Sequence, residues 1–328
     1  MKHKKQASRS PSTQRKITAK KGQYRISNWP EYNESLVKRG SITLWISTED
    51  TGAWQPEELP KRGGQRRYSD GAIQCLLMVR GFFHLTLRAT EGFARSLLEL
   101  MTLKLAVPDY TTICKRSKEL AVCLPQKAKG PLHAVLDSTG LKVFGEGEWK
   151  VRQHGYTKRR TWRKLHLSVD SGSQEIQSVV LSEAGVDDAG AVPELLDQIA
   201  EPVEQLSGDG AYDKRKVYQA CGERGIARVT IPPRKDARIW QHGNSMSQPL
   251  VRDENLRRIR KLGRKRWKRE SGYHQRSLAE TAMFRFKTIF GSYLQARSLP
   301  QQETEARVKC AALNRMTHLG MPDSYRVA

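Results

Sequence analysis

The chain is 328 residues long, with 38% hydrophobic and 28% charged residues, which allows a sizeable core and room for about two domains. Lysine and arginine outnumber aspartate and glutamate by 58 to 34, a formal charge of +24. That surplus points away from an ordinary small-metabolite enzyme and toward a polyanion, either nucleic acid or an acidic membrane face. No run of roughly 18 apolar residues predicts a membrane span. The basic start, Met1 to Arg25, lacks the apolar stretch of a secretory signal. Five scattered cysteines without a C-x-x-C pair suit a reducing, cytoplasmic setting.

Residues 1–25 hold cations and no acid, which predicts a flexible basic arm able to lie along phosphates. Residues 26–64 mix Trp29, Tyr32, Trp45 and Trp54 with Pro and Gly and read as a mostly irregular segment. Helical spacing begins near Tyr68, where Ser69-Asp70 supplies a cap. Leu87 to Leu103 gives a second amphipathic helix, and Tyr110 to Leu120 a third bearing Lys115, Arg116 and Lys118. Residues 26–125 are thus expected to form a helical DNA-binding domain, as a helix-turn-helix within 68–120 or as a plain bundle.

The run P-Q-K-A-K-G-P at 125–131 reads as a linker. A second domain is expected over 131–328. Leu132 to Ser138, Lys164 to Val169, Glu175 to Leu181, Val203 to Asp209 and Ile226 to Ile231 read as strands. Asp188 to Ile199 and Lys214 to Cys221 read as helices. Strands in succession, then alternating with helices, predict an α/β fold with a mixed five-stranded sheet flanked by helices. Residues 234–270 read as an irregular basic insertion, with Arg257, Arg258, Lys265, Arg266 and Trp267 among them. Two long helices follow, over 273–290 and 304–319.

Carboxylates at the ends of buried strands need a reason, because an unpaired charge near a core is costly. Asp137 closes the first strand and Asp209 the fourth. Asp213, Asp187 and Asp188 read as helix caps. In S-G-Y-H-Q-R-S-L-A-E-T-A-M-F-R-F-K, Tyr273, Arg276, Glu280 and Lys287 share an arc of about 60° if one helix runs through them. The alternative is a capping box of Ser277 and Glu280, with Tyr273 and Arg276 off the helix. Two Asp and one Glu suit Mg²⁺ or Mn²⁺, which take oxygen ligands. Two such ions can activate a nucleophile and steady a leaving 3′ oxygen. His166 reads as a structural histidine.

The spacing Tyr273-x2-Arg276-x3-Glu280-x6-Lys287 resembles the Y-R-E-K signature of bacterial insertion-sequence DDE transposases. Asp137 within L-D-S-T-G-L and Asp209 within G-D-G-A-Y-D resemble that family's first two acids, and N-W-P-E-Y-N near Asn28 is also similar. The resemblance implies an RNase H-like core, with Asp137, Asp209 and Glu280 as catalytic residues and ligands of two Mg²⁺ or Mn²⁺ ions. It implies phosphate contacts from Arg276 and Lys287, with Tyr273 beside them. Further DNA contacts are expected from Arg152, Lys158, Arg159, Arg160 and Lys164, and from Arg257, Arg258, Lys265 and Arg266, with Trp267 free to stack on a base.

The implied activity is cleavage at the terminal inverted repeats of a mobile element, followed by joining of the 3′-OH ends to target DNA. The implied partners are double-stranded DNA and a second copy in a synaptic dimer, in the nucleoid of a bacterial cytoplasm. A nuclease that never joins DNA and a non-catalytic regulator remain open readings, and a membrane-surface role is disfavoured because no amphipathic apolar face accompanies the basic clusters.

Overall fold

A computed structural model describes residues 23–47, 51–56, 66–143, 161–241 and 249–327. Most of the basic arm (1–22) lies outside these residues, as do Arg152, Lys158, Arg159 and Arg160.

The described chain begins with strand β1 (Gln23–Ile26) and helices α1 (Trp29–Lys38) and α2 (Ile42–Trp45), so more than half of the described residues in the segment read as irregular are helical. Helices α3 (Asp70–Phe82), α4 (Leu87–Leu100) and α5 (Tyr110–Arg116) follow. Each starts at an oxygen-bearing cap. Ser69 accepts from the Ala72 amide at 3.0 Å, Thr86 from Ala89 at 3.3 Å, and Asp109 from Thr111 and Thr112 at 2.8 and 2.9 Å.

Next come β2 (Leu132–Val143), β3 (Trp162–Asp170) and β4 (Ile176–Glu183), then α6 (Val192–Asp197), β5 (Val203–Ser207), α7 (Arg215–Glu223) and β6 (Arg228–Thr230). Helices α8 (Val251–Leu262) and α9 (Arg264–Glu270) occupy the second half of the basic insertion, whereas its described residues 234–241 are irregular as expected. A short turn at Tyr273–Arg276 leads into α10 (Ser277–Phe290), then β7 (Tyr293–Leu294), α11 (Leu299–His318) and β8 (Ser324–Val327).

The main sheet runs β4-β3-β2-β5-β6, with β7 also pairing to β2, so it has six strands rather than five. β2, β3 and β4 are antiparallel neighbours, whereas β5 and β6 join in parallel. Parallel partners need crossovers, and α6 and α7 lie in the two that lead into β5 and β6. The mixed α/β sheet flanked by helices is the expected fold class.

Alternation along β2 sorts the two cores. Leu132, Ala134 and Leu136 face a cluster with α6 and α7. Val135 and Leu141 face a larger cluster that takes in α10, α11 and the buried residues of α2 to α5. The N-terminal helices therefore share one apolar core with the sheet.

Candidate active site

Strand register brings the first two acids together. In the parallel ladder, Val135 of β2 pairs with Ser207 of β5, where the described pairing ends. Two residues further along the chain from each stand Asp137, still on β2, and Asp209, just past the end of β5. β2 itself does not stop at Asp137, because it pairs with β3 as far as Lys142. Asp137 is thus mid-strand, flanked by β3 on one side and by the opening past β5 on the other.

The sequence around Asp209 is built for a tight exit. A Cβ on Gly208 would lie 2.9 Å from Cδ2 of Tyr212, so only glycine lets that buried ring pack there. Asp209 turns its carboxylate onto the Ala211 amide at 2.8 Å. It thereby caps the turn Gly210–Tyr212.

Glu280 arrives from α10. This helix packs Ala279, Ala282, Met283, Phe286 and Phe290 inward, and its opposite face carries Glu280 and Phe284, the latter 69% exposed. Arg276 directly precedes the helix and is ion-paired with Glu280. Ser277 makes no cap to the helix; its hydroxyl donates to the His274 carbonyl at 3.0 Å. Tyr273 lies on the preceding turn, and its ring sits between Lys268 at 4.6 Å and Arg276 at 5.9 Å. The four expected side chains thus come from a turn and a helix in series. Lys287 is half-buried two turns beyond Glu280.

These side chains share one electrostatic field. Burial pushes the Asp137 carboxyl above its ordinary value, and the charges of Glu280 and Asp209 add to that, while the Ser138 amide and Arg276 oppose it. Burial also raises the Tyr273 hydroxyl, with Asp209 and Glu280 adding to the effect. Asp137 therefore responds to both other acids of the trio, although they lie 72 and 143 positions away in sequence.

Oxygen donors of this kind suit a hard divalent cation. Among the described residues, no three His, Cys, Asp or Glu side chains form a group able to hold a metal ion. Glu280 is engaged by Arg276, and Asp209 by a backbone amide.

Asp188 is an acid whose surroundings sequence reasoning missed. It does not act as a simple cap. The Ser138 hydroxyl donates to it at 2.8 Å, and Lys164 pairs with it at 3.2 Å. His166 Nδ1 lies 3.7 Å away. Tyr212 is buried near Asp188, Asp137 and Asp209, and burial together with those charges raises its hydroxyl far above its usual range. Lys164, expected on DNA, instead donates to the Val186 carbonyl at 2.8 Å and faces Asp188.

The basic insertion is pinned to the sheet by polar contacts. Arg252 holds Asp213 through Nε at 2.8 Å and Nη2 at 3.3 Å, and stacks on Trp240 at 3.8 Å. Asp213 thus serves an arginine rather than capping α7. Trp267, expected to stack on bases, is 1% exposed and donates to Asn255 Oδ1 at 3.2 Å, so its ring belongs to the core. Arg258 and Arg266 both pair with Glu270, at 2.9 and 2.7 Å, and Arg257 pairs with Glu254. Lys265 is exposed.

Among solved structures, the chain is similar to the piggyBac transposase in a cryo-EM synaptic complex with hairpin DNA. The two share 13% identity over 86% of this chain and 73% of that chain, with a TM-score of 0.42. Residues 37–146 match a family described as Transposase DDE domain, and residues 128–315 match a second family of the same description. The second match alone spans more than half of the 328 residues, and the chain belongs to the DDE transposase family.

Proposed function

We propose that this transposase binds the terminal inverted repeats of an insertion sequence, cuts the DNA at the element ends and joins the freed 3′-OH ends to target DNA. The observation that carries the reading is the placement of Asp137, Asp209 and Glu280, from a mid-sheet strand, a strand exit and a helix, near enough for the charges of the last two to oppose ionisation of the first. A structural role for such a trio is uneconomical, since each like charge raises the cost of ionising the half-buried Asp137.

On this reading Asp137, Asp209 and Glu280 would hold Mg²⁺ or Mn²⁺, two ions per site, which would supply activation of the attacking oxygen and charge stabilisation at the leaving 3′ oxygen. The carboxylates must all be ionised for this, and Arg276 helps Asp137 to ionise. Glu280 must let go of Arg276 to turn toward the aspartates, which leaves that guanidinium free to fork onto a phosphate. Lys287 offers a further point charge along the same helix, and Tyr273 is held by two cations where a sugar or phosphate would pass. Arg257, Arg258, Lys265 and Arg266 extend the basic surface along α8 and α9. Residues 26–125 are assigned to DNA recognition and 131–328 to catalysis, with a homodimer bridging two element ends in a bacterial nucleoid.

The test is Asp137→Asn on a duplex carrying the element's own end, with Mg²⁺ or Mn²⁺ supplied and 3′ ends mapped. Cleavage should fall at least about a hundredfold, with DNA affinity retained. Cutting at the parent's rate would refute the assignment. Pre-nicked ends then read joining apart from cutting.

A further inference from the structure

We propose that the cleft between the N-terminal helices and β7 is a second phosphate site, which takes the backbone of duplex DNA roughly five base pairs from the carboxylate trio. The inference rests on the DNA-cleaving reading above for the identity of the polyanion.

The cleft has a volume of about 900 Å³. Arg80 enters it from α3, Arg88 from α4, Lys115 from α5 and Arg297 from the segment after β7, and among the described residues no Asp or Glu lines it. This differs from the cations of α8 and α9, several of which are matched by Glu254 or Glu270. None of the four pairs with a described carboxylate.

Two of the arginines are held in place without being neutralised. Arg80 donates from Nη2 to Gln295 Oε1 at 2.6 Å, while its buried Nε has no hydrogen-bond partner among the described residues. The Arg88 guanidinium lies 4.4 Å over the Tyr110 ring, with Nη2 3.4 Å from the hydroxyl oxygen. Stacking fixes the plane of a guanidinium and leaves its charge for an anion. Four cations converge on this concave surface, and the acid of its inner extension, Glu305, is already matched by Lys309, so the four repel one another until a polyanion enters.

Two rulers give the distance from the trio. Along α10, Glu280 to Phe290 is about 15 Å at ~1.5 Å per residue, and Phe290 lines the inner extension of the cleft. Along β2, Asp137 to Lys142 is about 17 Å at ~3.4 Å per residue, and Lys142 pairs with Tyr293, another lining residue. Successive phosphates of a duplex strand advance about 3.4 Å along the axis, so both lengths correspond to about five base pairs. Lys287 lies on the same helix between the two sites.

The test uses the full chain with Arg88→Ala, Lys115→Ala and Arg297→Ala combined, all three being exposed side chains. Binding to a duplex bearing the terminal repeat is followed by fluorescence anisotropy across a salt series. The slope of log K against log salt should shrink by about 2.7, at roughly 0.9 per phosphate lost, with an unchanged melting temperature. An unrelated duplex should show the same loss, because phosphate contacts carry no sequence information. Trimming the duplex to under about five base pairs on the cleft side should erase the difference between variant and parent. An unchanged slope on the long duplex, or a loss confined to the repeat sequence, overturns the inference. Metal-dependent cutting by the parent is scored separately. If the slope shrinks but the parent never cuts, the cleft stands and the cleavage reading falls; if the parent cuts and the slope is unchanged, the reverse holds.

Discussion

At His166, burial outweighs a nearby negative charge. The ring is fully enclosed in β3 and hydrogen-bonded to Ser182 Oγ at 2.9 Å. Enclosure drives its pKa down to about 4, even though Asp188 pulls the other way. The unfolded chain keeps the ordinary value near 6.5, so between these limits it binds more protons than the folded state. Stability is therefore full above about pH 6.5 and drains as the pH falls toward 4, by about 3 kcal/mol. Urea midpoints at pH 7.5 and pH 5 should separate clearly in the parent and much less in His166→Gln; an equal separation would show that another group governs acid sensitivity. The sequence reading took His166 as structural, which agrees with this enclosure. Asp137 and Asp209 stand out in the sequence because each follows a short apolar run. Asp188 looks like a helix cap because its real partners, Ser138, Lys164 and His166, come from the strands β2 and β3, and no local pattern announces a contact between a turn and distant strands.

Helices α8 and α9 show how charge hides an element. Ten cations between Arg252 and Arg269 obscure a buried stripe at Leu256, Ile259 and Trp267, so the segment reads as irregular. Its attachment is polar and equally hard to read, since Arg252 must meet Asp213, 39 positions earlier. Both are 4% exposed, and Asp253 beside them is fully enclosed. Removing the guanidinium strands two carboxylates in the interior, so Arg252→Ala should cost about 3–5 kcal/mol in chemical denaturation. Combining Arg252→Met with Asp213→Asn should recover part of that loss. If Arg252→Ala melts like the parent, the pin holds nothing. The end of β2 was misplaced for a different reason. Ser-Thr-Gly after Asp137 looks like a turn, but pairing with β3 carries the strand through it, tertiary context overriding local preference.

For the molecule as a whole, the charge of +24 forecasts two separable dependences. DNA affinity should fall steeply with ionic strength, since several phosphates are neutralised at once. Stripping divalent ions with a chelator should abolish strand cutting and leave most of that affinity, because the cations that grip phosphate are side chains; a chelator that releases the DNA altogether would contradict this division. The overall architecture was largely legible from the order of strands and helices. The sharing of one core between the N-terminal helices and the sheet was not, because it depends on contacts across well over a hundred positions.

Those contacts converge on α11. Gln301 of this helix donates to the Cys114 carbonyl at 2.9 Å, Asn314 to the carbonyls of Pro125 and Ile176 at 3.0 and 2.9 Å, and Arg315 to the Leu44 carbonyl at 3.1 Å. This later helix is thus the keystone for parts made well before it. During synthesis the early helices must wait, their apolar sides uncovered, until residue 318 has cleared the ribosome. A chain halted before Leu299 should therefore emerge without a closed interior, available to chaperones and proteases and incapable of cutting a chromosome.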